Sequence, residues 1–375
     1  MNKTNKTNKT NKTNKTNLAD KNFWQNKKVL ITGHTGFKGA WLCILLKQFQ
    51  SKIFGIALPP ENQSLFNKAN VNALCEKSIF LDINNEQKIA EIIQEINPEI
   101  IIHLAAQALV RPSYSQPLNT FKTNIIGTAN LLNAAKNLTN IKSIVCITTD
   151  KVYHNNEWNY PYREIDKLGG YDPYSASKAA AEIVIDSYRK SFFDTTKIGV
   201  ASARAGNVIG GGDWSLDRLI PDIIKSWLND KEVIIRSPNS IRPWQHVLEP
   251  LNAYLILAEN LYKQPQKFSK SYNFGPDSNS QQKVIDILEN IKTYFVKNNY
   301  AANVKYETEN NNNNNLHEAG ILTLDTNLAK NELNIFPKWN LQTTLERTAN
   351  WYILENSNTK SAQNLCLDDI NFYFK

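Results

Sequence analysis

Tyr174 and Lys178 stand four residues apart in YSASK, and Asp150 and Lys151 stand side by side in TTDKVY. Four residues apart on a helix, two side chains lie one above the other on the same face. A tyrosine is ordinarily neutral, with a pKa near ~10. A nearby ammonium and a positively charged nicotinamide ring both favour its phenolate. Tyr174 then becomes a base that takes a proton from a hydroxyl as hydride leaves the carbon. Tyr-x-x-x-Lys also occurs by chance on exposed helices. Its place here, opening a helix after the fifth strand of a dinucleotide-type fold, makes it specific. Asp150 and Lys151 follow the apolar run SIVCI. They put an acid and a base at the mouth of a sheet, where a second proton transfer can occur.

A third pattern is ITGHTGFKG, with Gly33, Gly36 and Gly39 between a first strand and a first helix. Glycines let the backbone approach a pyrophosphate, and a helix N-terminus offers N–H groups and a positive dipole end. The alternative is a tight turn with no ligand; position after an N-terminal strand favours the cradle. The acidic residue expected ~20 positions on, for a ribose hydroxyl, is missing. The second strand ends GIALPPEN, and Glu61 comes late, so NAD and NADP stay open on this feature. Asp82 either meets an adenine amine or caps the following turn.

The elements that must position these residues alternate. Strands are expected over 28–33, 52–58, 78–83, 99–106, 142–148 and 197–203, with helices over 39–49, 86–96, 120–138 and 174–192. Strands that read as apolar runs buried on both faces, alternating with helices, predict an α/β doubly wound parallel Rossmann sheet. Past residue 203, helices such as LIPDIIKSWL mix with short strands such as EVIIRS and with Asn-, Pro- and Gly-rich loops. That half reads as a smaller α/β substrate lobe interleaved with the sheet. The expected divisions are a disordered low-complexity tail over 1–22, a cofactor-binding domain over 23–203, a substrate lobe over 204–355 and a loosely attached C-terminal tail over 356–375.

Bulk properties exclude several classes. The net charge of +8 falls to +3 once the five lysines of the NKT repeats in the tail are set aside. That bias is too weak for nucleic acid. The NKT units match a glycosylation sequon but read as repeat expansion, and the six-Asn run at 310–315 reads as a surface loop. No apolar stretch approaches the ~20 residues of a membrane span. Cys43, Cys75, Cys146 and Cys366 show no paired metal or redox spacing, which predicts a reducing, cytoplasmic setting. No His/Cys/Asp cluster suggests a metal.

The glycine loop, HLAAQ, the TN within a long helix and YSASK together resemble the extended short-chain dehydrogenase/reductase family, in its NAD-dependent epimerase/dehydratase group. GHTGFKGAWL, TTDKVY, GGYDPYSASK, RAGNVIGGGDW, DRLIPD and IRPWQHVLEPL extend that resemblance over roughly residues 23 to 355. It implies NAD as cofactor and a nucleotide sugar, CDP-glucose, as substrate. The implied reaction oxidises C4, removes water across C5 and C6, and returns hydride to C6. Tyr174 is the implied base at C4, Thr149 the donor to that hydroxyl, and Lys178 the ammonium on the cofactor ribose. The implied cofactor contacts are Gly33, Thr35, Gly36, Phe37 and Lys38 in the loop, and Asp82 and Ile83 after the third strand. Ala105, Ala106 and Gln107 follow after the fourth, with Asn124 supporting the lysine through water. Asn207 is implied at the sugar diphosphate, Arg218 and Arg242 as pyrophosphate clamps or surface ion pairs, and Gln107 at the sugar. His246 reads as packing or phosphate support, Trp214 and Trp227 as core, and Trp244, next to Arg242, as either core or a base-stacking platform. A homodimer through the two long helices is implied by the same resemblance.

Sugar dehydratases of the dTDP type carry Asp-Glu after the threonine. Here Asp150 matches the acid and Lys151 replaces the Glu. To act as a base, Lys151 must fall from ~10.4 toward ~7–8, while Asp150 must rise. Adjacent opposite charges push both the wrong way, so the two side chains are expected to diverge. An anchoring role for Lys151, with water taking the proton, stays open. A nucleotide-sugar epimerase would share Tyr174 and Lys178 but needs no second acid–base pair. A catalytically silent NAD-binding regulator would have lost Tyr174, Lys178 or Thr149.

Overall fold

Seven strands form one parallel sheet in the computed structural model, which describes residues 17–235, 238–277, 281–306 and 321–375. They are β1 (Lys28–Thr32), β2 (Lys52–Ala57), β3 (Lys77–Phe80), β4 (Ile100–His103), β5 (Ser143–Ile147), β6 (Gly199–Ala205) and β7 (Ser271–Phe274). Their order is β7-β6-β5-β4-β1-β2-β3, and every pairing is parallel. Helices cover both faces, which is why β4, β5 and β6 are buried along their whole length. Alternate side chains of β1 divide between two cores: Val29 and Ile31 enter one, Leu30 the other. Strand order reverses direction between β1 and β4, and the crevice outside the strand ends at such a switch point is where ligands bind. β3 stops at Phe80, short of the expected end. β7 comes from the chain's second half, so the later segments do interleave with the sheet.

Three helices position the chemistry. α1 (Phe37–Gln48) follows the glycine loop. A helix over 117–135 is interrupted by a π-helical turn at Lys122–Ile126, which holds Asn124 buried; such turns often mark functional positions. α2 (Pro173–Tyr188) begins where Asp172 accepts from the Ser175 N–H and proline occupies the first turn. In the second half, α3 (Leu219–Leu228) and α4 (Leu248–Lys263) accompany short strand pairs: Val233–Ile235 beside Val304–Tyr306, and Ile241–Pro243 beside Gln281–Lys283.

Both chain ends differ from expectation. Residues 1–16 and the Asn run lie outside the described residues. Residues 17–22, assigned to the disordered tail, are docked: Ala19 is buried and its N–H donates to Asn252 Oδ1 at 2.9 Å. The C-terminal residues are not loosely attached either. After α5 (Leu341–Asn356), α6 (Ala362–Tyr373) packs against α1 and α5. Leu365, Cys366, Asp369, Ile370 and Tyr373 recur at helical spacing and are all buried. The polar linker before them had masked that stripe. Tyr373 donates to Glu249 Oε2 at 2.8 Å, and Arg347 pairs with Asp369.

Candidate active site

A cleft of about 2180 Å³ opens at the C-terminal ends of β1, β4, β5 and β6. Pockets for drug-sized ligands are roughly 300–1,000 Å³, so this cleft has the volume for more than one such ligand. The three glycines of its floor have different reasons to be glycine. Gly33 has φ +76°, and a Cβ there would lie 2.7 Å from Ala105 N. A Cβ on Gly39 would lie 2.2 Å from Gly33 O. Gly36 needs neither: its nearest neighbour would be at 3.4 Å and its φ is ordinary. Among the described residues nothing requires glycine at Gly36, which caps α1 without a side-chain hydrogen bond. Its bare backbone at the helix N-terminus leaves room for an anionic group, and a pyrophosphate fits.

The surrounding groups prepare the same floor. Thr35 Oγ1 donates to Leu58 O at 3.0 Å, tying the loop to β2. Phe37 and Lys38 line the cleft. Burial, and then the Arg218 guanidinium, lower the Lys38 ammonium to about 7. Asp82 Oδ1 accepts from Asn84 N–H at 2.9 Å, so it does cap its turn while lining the cleft. Asn130 Nδ2 donates to Ile83 O at 3.0 Å, and the absent side chain of Gly127 makes room for Ile83. Ala105 N–H donates to Thr32 Oγ1 at 3.2 Å, and Ala106 lines the wall beside it.

Two further side chains brace the wall after β4. Gln107 donates through Nε2 to Leu109 O on its own loop and to Thr120 Oγ1 on the helix over 117–135, and its Oε1 accepts from Leu109 N–H. Asn124 reaches Ser177, the residue before Lys178. It accepts from Gln107 N–H at 2.8 Å and donates to Gln107 O at 3.0 Å and Ser177 Oγ at 2.8 Å. It therefore joins the β4 loop to the residue beside the lysine.

Tyr174 and Lys178 are both buried on α2. Lys178 Nζ donates to Ile147 O at 3.1 Å, at the end of β5. Burial lowers its ammonium to about 8, with Cys146 and Glu182 working the other way. Burial raises the Tyr174 phenol, while the hydrogen bond with Thr149, Lys151 and Arg218 bring it down. The cations that bring the phenol down, Lys151 and Arg218, lie outside its own motif.

Thr149 caps a single helical turn, Asp150–Val152. Its hydroxyl donates to Asp150 Oδ1 at 2.9 Å. The same oxygen accepts from Lys151 Nζ at 3.4 Å. The expected divergence does not occur: the tight turn tucks the buried carboxylate back, and the longer lysine, 31% exposed, reaches over it.

The far end of the cleft is built from the loop after β6. Gly206 lies against Asp150, where a Cβ would be 2.9 Å from Oδ2, and Asn207 follows on the cleft wall. Arg218 NH1 pairs with Asp213 Oδ2 at 2.9 Å and keeps one third of its side chain exposed toward the cleft. Arg242 lines the same cleft from the strand Ile241–Pro243. Sequence reasoning missed what holds this loop. Tyr352 OH donates to Asp213 O at 2.7 Å, Trp41 Nε1 donates to Gly211 O at 2.9 Å, and the Trp351 ring occupies the side-chain space of Gly211. The Gly-Gly-Gly run was the available signal that something large packs there. His246 is fully buried between Trp41 and Trp339, and burial lowers it to about 3, so it is a neutral packing group. Trp214 stands edge-on to Tyr352 and Trp227 packs on Phe295; Trp244 is buried but lines the cleft.

A doubly wound sheet with a glycine cradle and a Tyr–Lys helix at the switch point defines a Rossmann-type protein of the epimerase and dehydratase kind. The fold agrees with solved structures: a UDP-glucose-4-epimerase from Stenotrophomonas maltophila with bound NAD and formylated UDP-arabinopyranose has a TM-score of 0.74 at 19% identity, over 89% of this chain and 100% of that one. A dTDP-glucose 4,6-dehydratase from Bacillus anthracis in complex with NAD has 0.71 at 23%, over 86% and 96%. Residues 30–348 match the model of the GDP-mannose 4,6 dehydratase family, and the chain belongs to it. It is 47% identical over 341 residues to the CDP-glucose 4,6-dehydratase of Salmonella typhimurium, covering 89% of this chain and 93% of that one.

Proposed function

We propose that the protein converts CDP-D-glucose to CDP-4-dehydro-6-deoxy-D-glucose. One observation carries this: a buried tyrosine and a separate carboxylate–lysine pair face one cleft. The likeness to the Salmonella typhimurium enzyme supports the CDP-sugar. NAD, when bound, accepts hydride from C4 and returns it to C6. The glycine loop and Lys38 hold its pyrophosphate, and the Lys178 ammonium its ribose. Tyr174 takes the proton of the C4 hydroxyl, which Thr149 orients. The C4 ketone acidifies C5. Asp150 protonates the departing C6 hydroxyl, and Lys151 takes the C5 proton. Asn207, Arg218 and Arg242 hold the sugar diphosphate. On this reading residues 23–203 serve the cofactor and 204–355 the nucleotide sugar.

The 3.4 Å contact between Lys151 and Asp150 favours a second reading of that lysine. An ammonium paired with a carboxylate is not a base. It instead steadies the negative charge that develops when C5 loses its proton. Solvent exchange at C5 separates the two: Lys151→Ala stops it if Lys151 is the base and slows it without stopping it if Lys151 only steadies the charge.

Leu118, Ile126 and Ile183 are exposed along the helix over 117–135 and its neighbour α2, which supports a homodimer through these helices. Free Cys43, Cys75, Cys146 and Cys366 fit a reducing, cytoplasmic setting. The activity is tested by offering CDP-, dTDP-, GDP- and UDP-glucose with NAD and following the alkali-induced absorbance of a 4-keto-6-deoxy product. Recovery of a C4 epimer instead would contradict the assignment.

A further inference from the structure

Behind the cleft lies an ion pair that the chemistry above leaves unused. Arg204 on β6 and Glu182 on α2 meet at 2.8 Å, with side chains 3% and 1% exposed. Such a pair is steadied by the further hydrogen bonds its members make, and here all but the Arg204 Nε find them. Glu182 accepts from Thr148 Oγ1 at 2.5 Å, Ser202 Oγ at 2.7 Å and Ser271 Oγ at 3.2 Å. Arg204 donates to Tyr153 OH at 2.8 Å and Glu164 O at 3.1 Å. Tyr153 OH donates to Asn273 Oδ1 at 2.7 Å.

These contacts fall where the reacting groups hang. Glu182 is one helical turn beyond Lys178 on the same face of α2. Thr148 immediately precedes Thr149, and Tyr153 immediately follows the turn that carries Asp150 and Lys151. The pair thus grips both ends of the catalytic turn and the catalytic helix at once. We propose that Glu182 is a positioning residue for the redox step: held by Arg204 inside the protein, it fixes the α2 face that carries Lys178 to the strand end that carries Thr149. The inference rests on the cofactor role of Lys178 proposed above.

Its charge matters as well as its place. Lys178 is faced by Tyr174 and Glu182 on its own helix, Cys146 on β5, His103 on β4 and Lys38 on α1. Of these, Glu182 is the carboxylate that raises the lysine. Without it the ammonium is lost at lower pH.

Three variants test this through NAD binding by calorimetry across pH, turnover and the thermal midpoint. In Glu182→Gln, the pH above which NAD affinity falls moves down by about one pH unit. Turnover near neutral pH drops about tenfold, with KM for CDP-glucose within about twofold. This variant strands Arg204 as an unpaired buried cation, so its thermal midpoint falls. Adding Arg204→Met removes the cation and recovers the midpoint, but not the NAD profile. Thr148→Val deletes one donor and keeps the charge: it lowers kcat and leaves the NAD profile in place. A double variant that regains the wild-type NAD profile along with its midpoint overturns the proposal. So does a Glu182→Gln protein with an unmoved profile, or a Thr148→Val protein with wild-type kcat. The NAD arm needs no sugar. Wild-type protein that binds NAD but leaves CDP-glucose unchanged therefore contradicts the assigned substrate, not this inference.

Discussion

The helix α2 and the turn Asp150–Val152 carry the same kinds of side chain in opposite settings. On α2, Tyr174 and Lys178 are dry, and burial decides both: the phenol is raised and the ammonium lowered to about 8. In the turn, Lys151 stays one third exposed and rests on the Asp150 carboxylate. The buried ammonium of Lys178, which donates to a carbonyl, is tuned by its surroundings, whereas Lys151 lies against a carboxylate at the edge of the cleft. That contrast suits the helix to one fixed exchange with C4, and the turn to proton movements that accompany a departing water.

Several changes can break that contrast. The largest effect is expected from Tyr174→Phe, which should lower turnover by about 10²–10⁴-fold with the circular dichroism spectrum intact. If the helix alone oxidises C4, this variant shows no reduced nicotinamide. Lys151→Ala should lower turnover by about 10²-fold but still build up reduced nicotinamide, because only the later steps fail. Loss of both signals would merge the two regions into one machine. Arg218→Met should raise KM for CDP-glucose about tenfold, the worth of a charge-assisted contact. Gly36→Ala should weaken NAD about tenfold at an unchanged thermal midpoint, whereas Gly39→Ala should cost about 1–3 kcal/mol of stability. The smallest signature is in pH. The Lys178 ammonium is present below about 8 and lost above it, so NAD affinity should fall on the alkaline side of that value.

The sheet and its glycine loop were legible because their signals are local. Apolar runs mark β1, β4, β5 and β6, and spacing alone placed Gly33, Gly36 and Gly39 between a strand and a helix. Tyr174 and Lys178 were legible because four residues on a helix is a fixed geometry. The substrate end was not, since Asp213 and Gly211 are held by Tyr352, Trp351 and Trp41 from distant segments. Such contacts leave no periodic trace. The contact of Asp150 with Lys151 escaped because charge reasoning says what the chemistry needs, while turn geometry says where the atoms go. α6 escaped because its helical stripe follows a polar linker and includes the charged Asp369, whose partner Arg347 lies on another helix.

The division of labour between helix and turn has one direct test. CDP-glucose carrying deuterium at C4 is turned over with NAD in ordinary water, and the product is read by mass and nuclear magnetic resonance. The label should arrive at C6 of the same molecule, with one solvent hydrogen at C5. Deuterium lost to water, or still at C4 after turnover, would contradict the account.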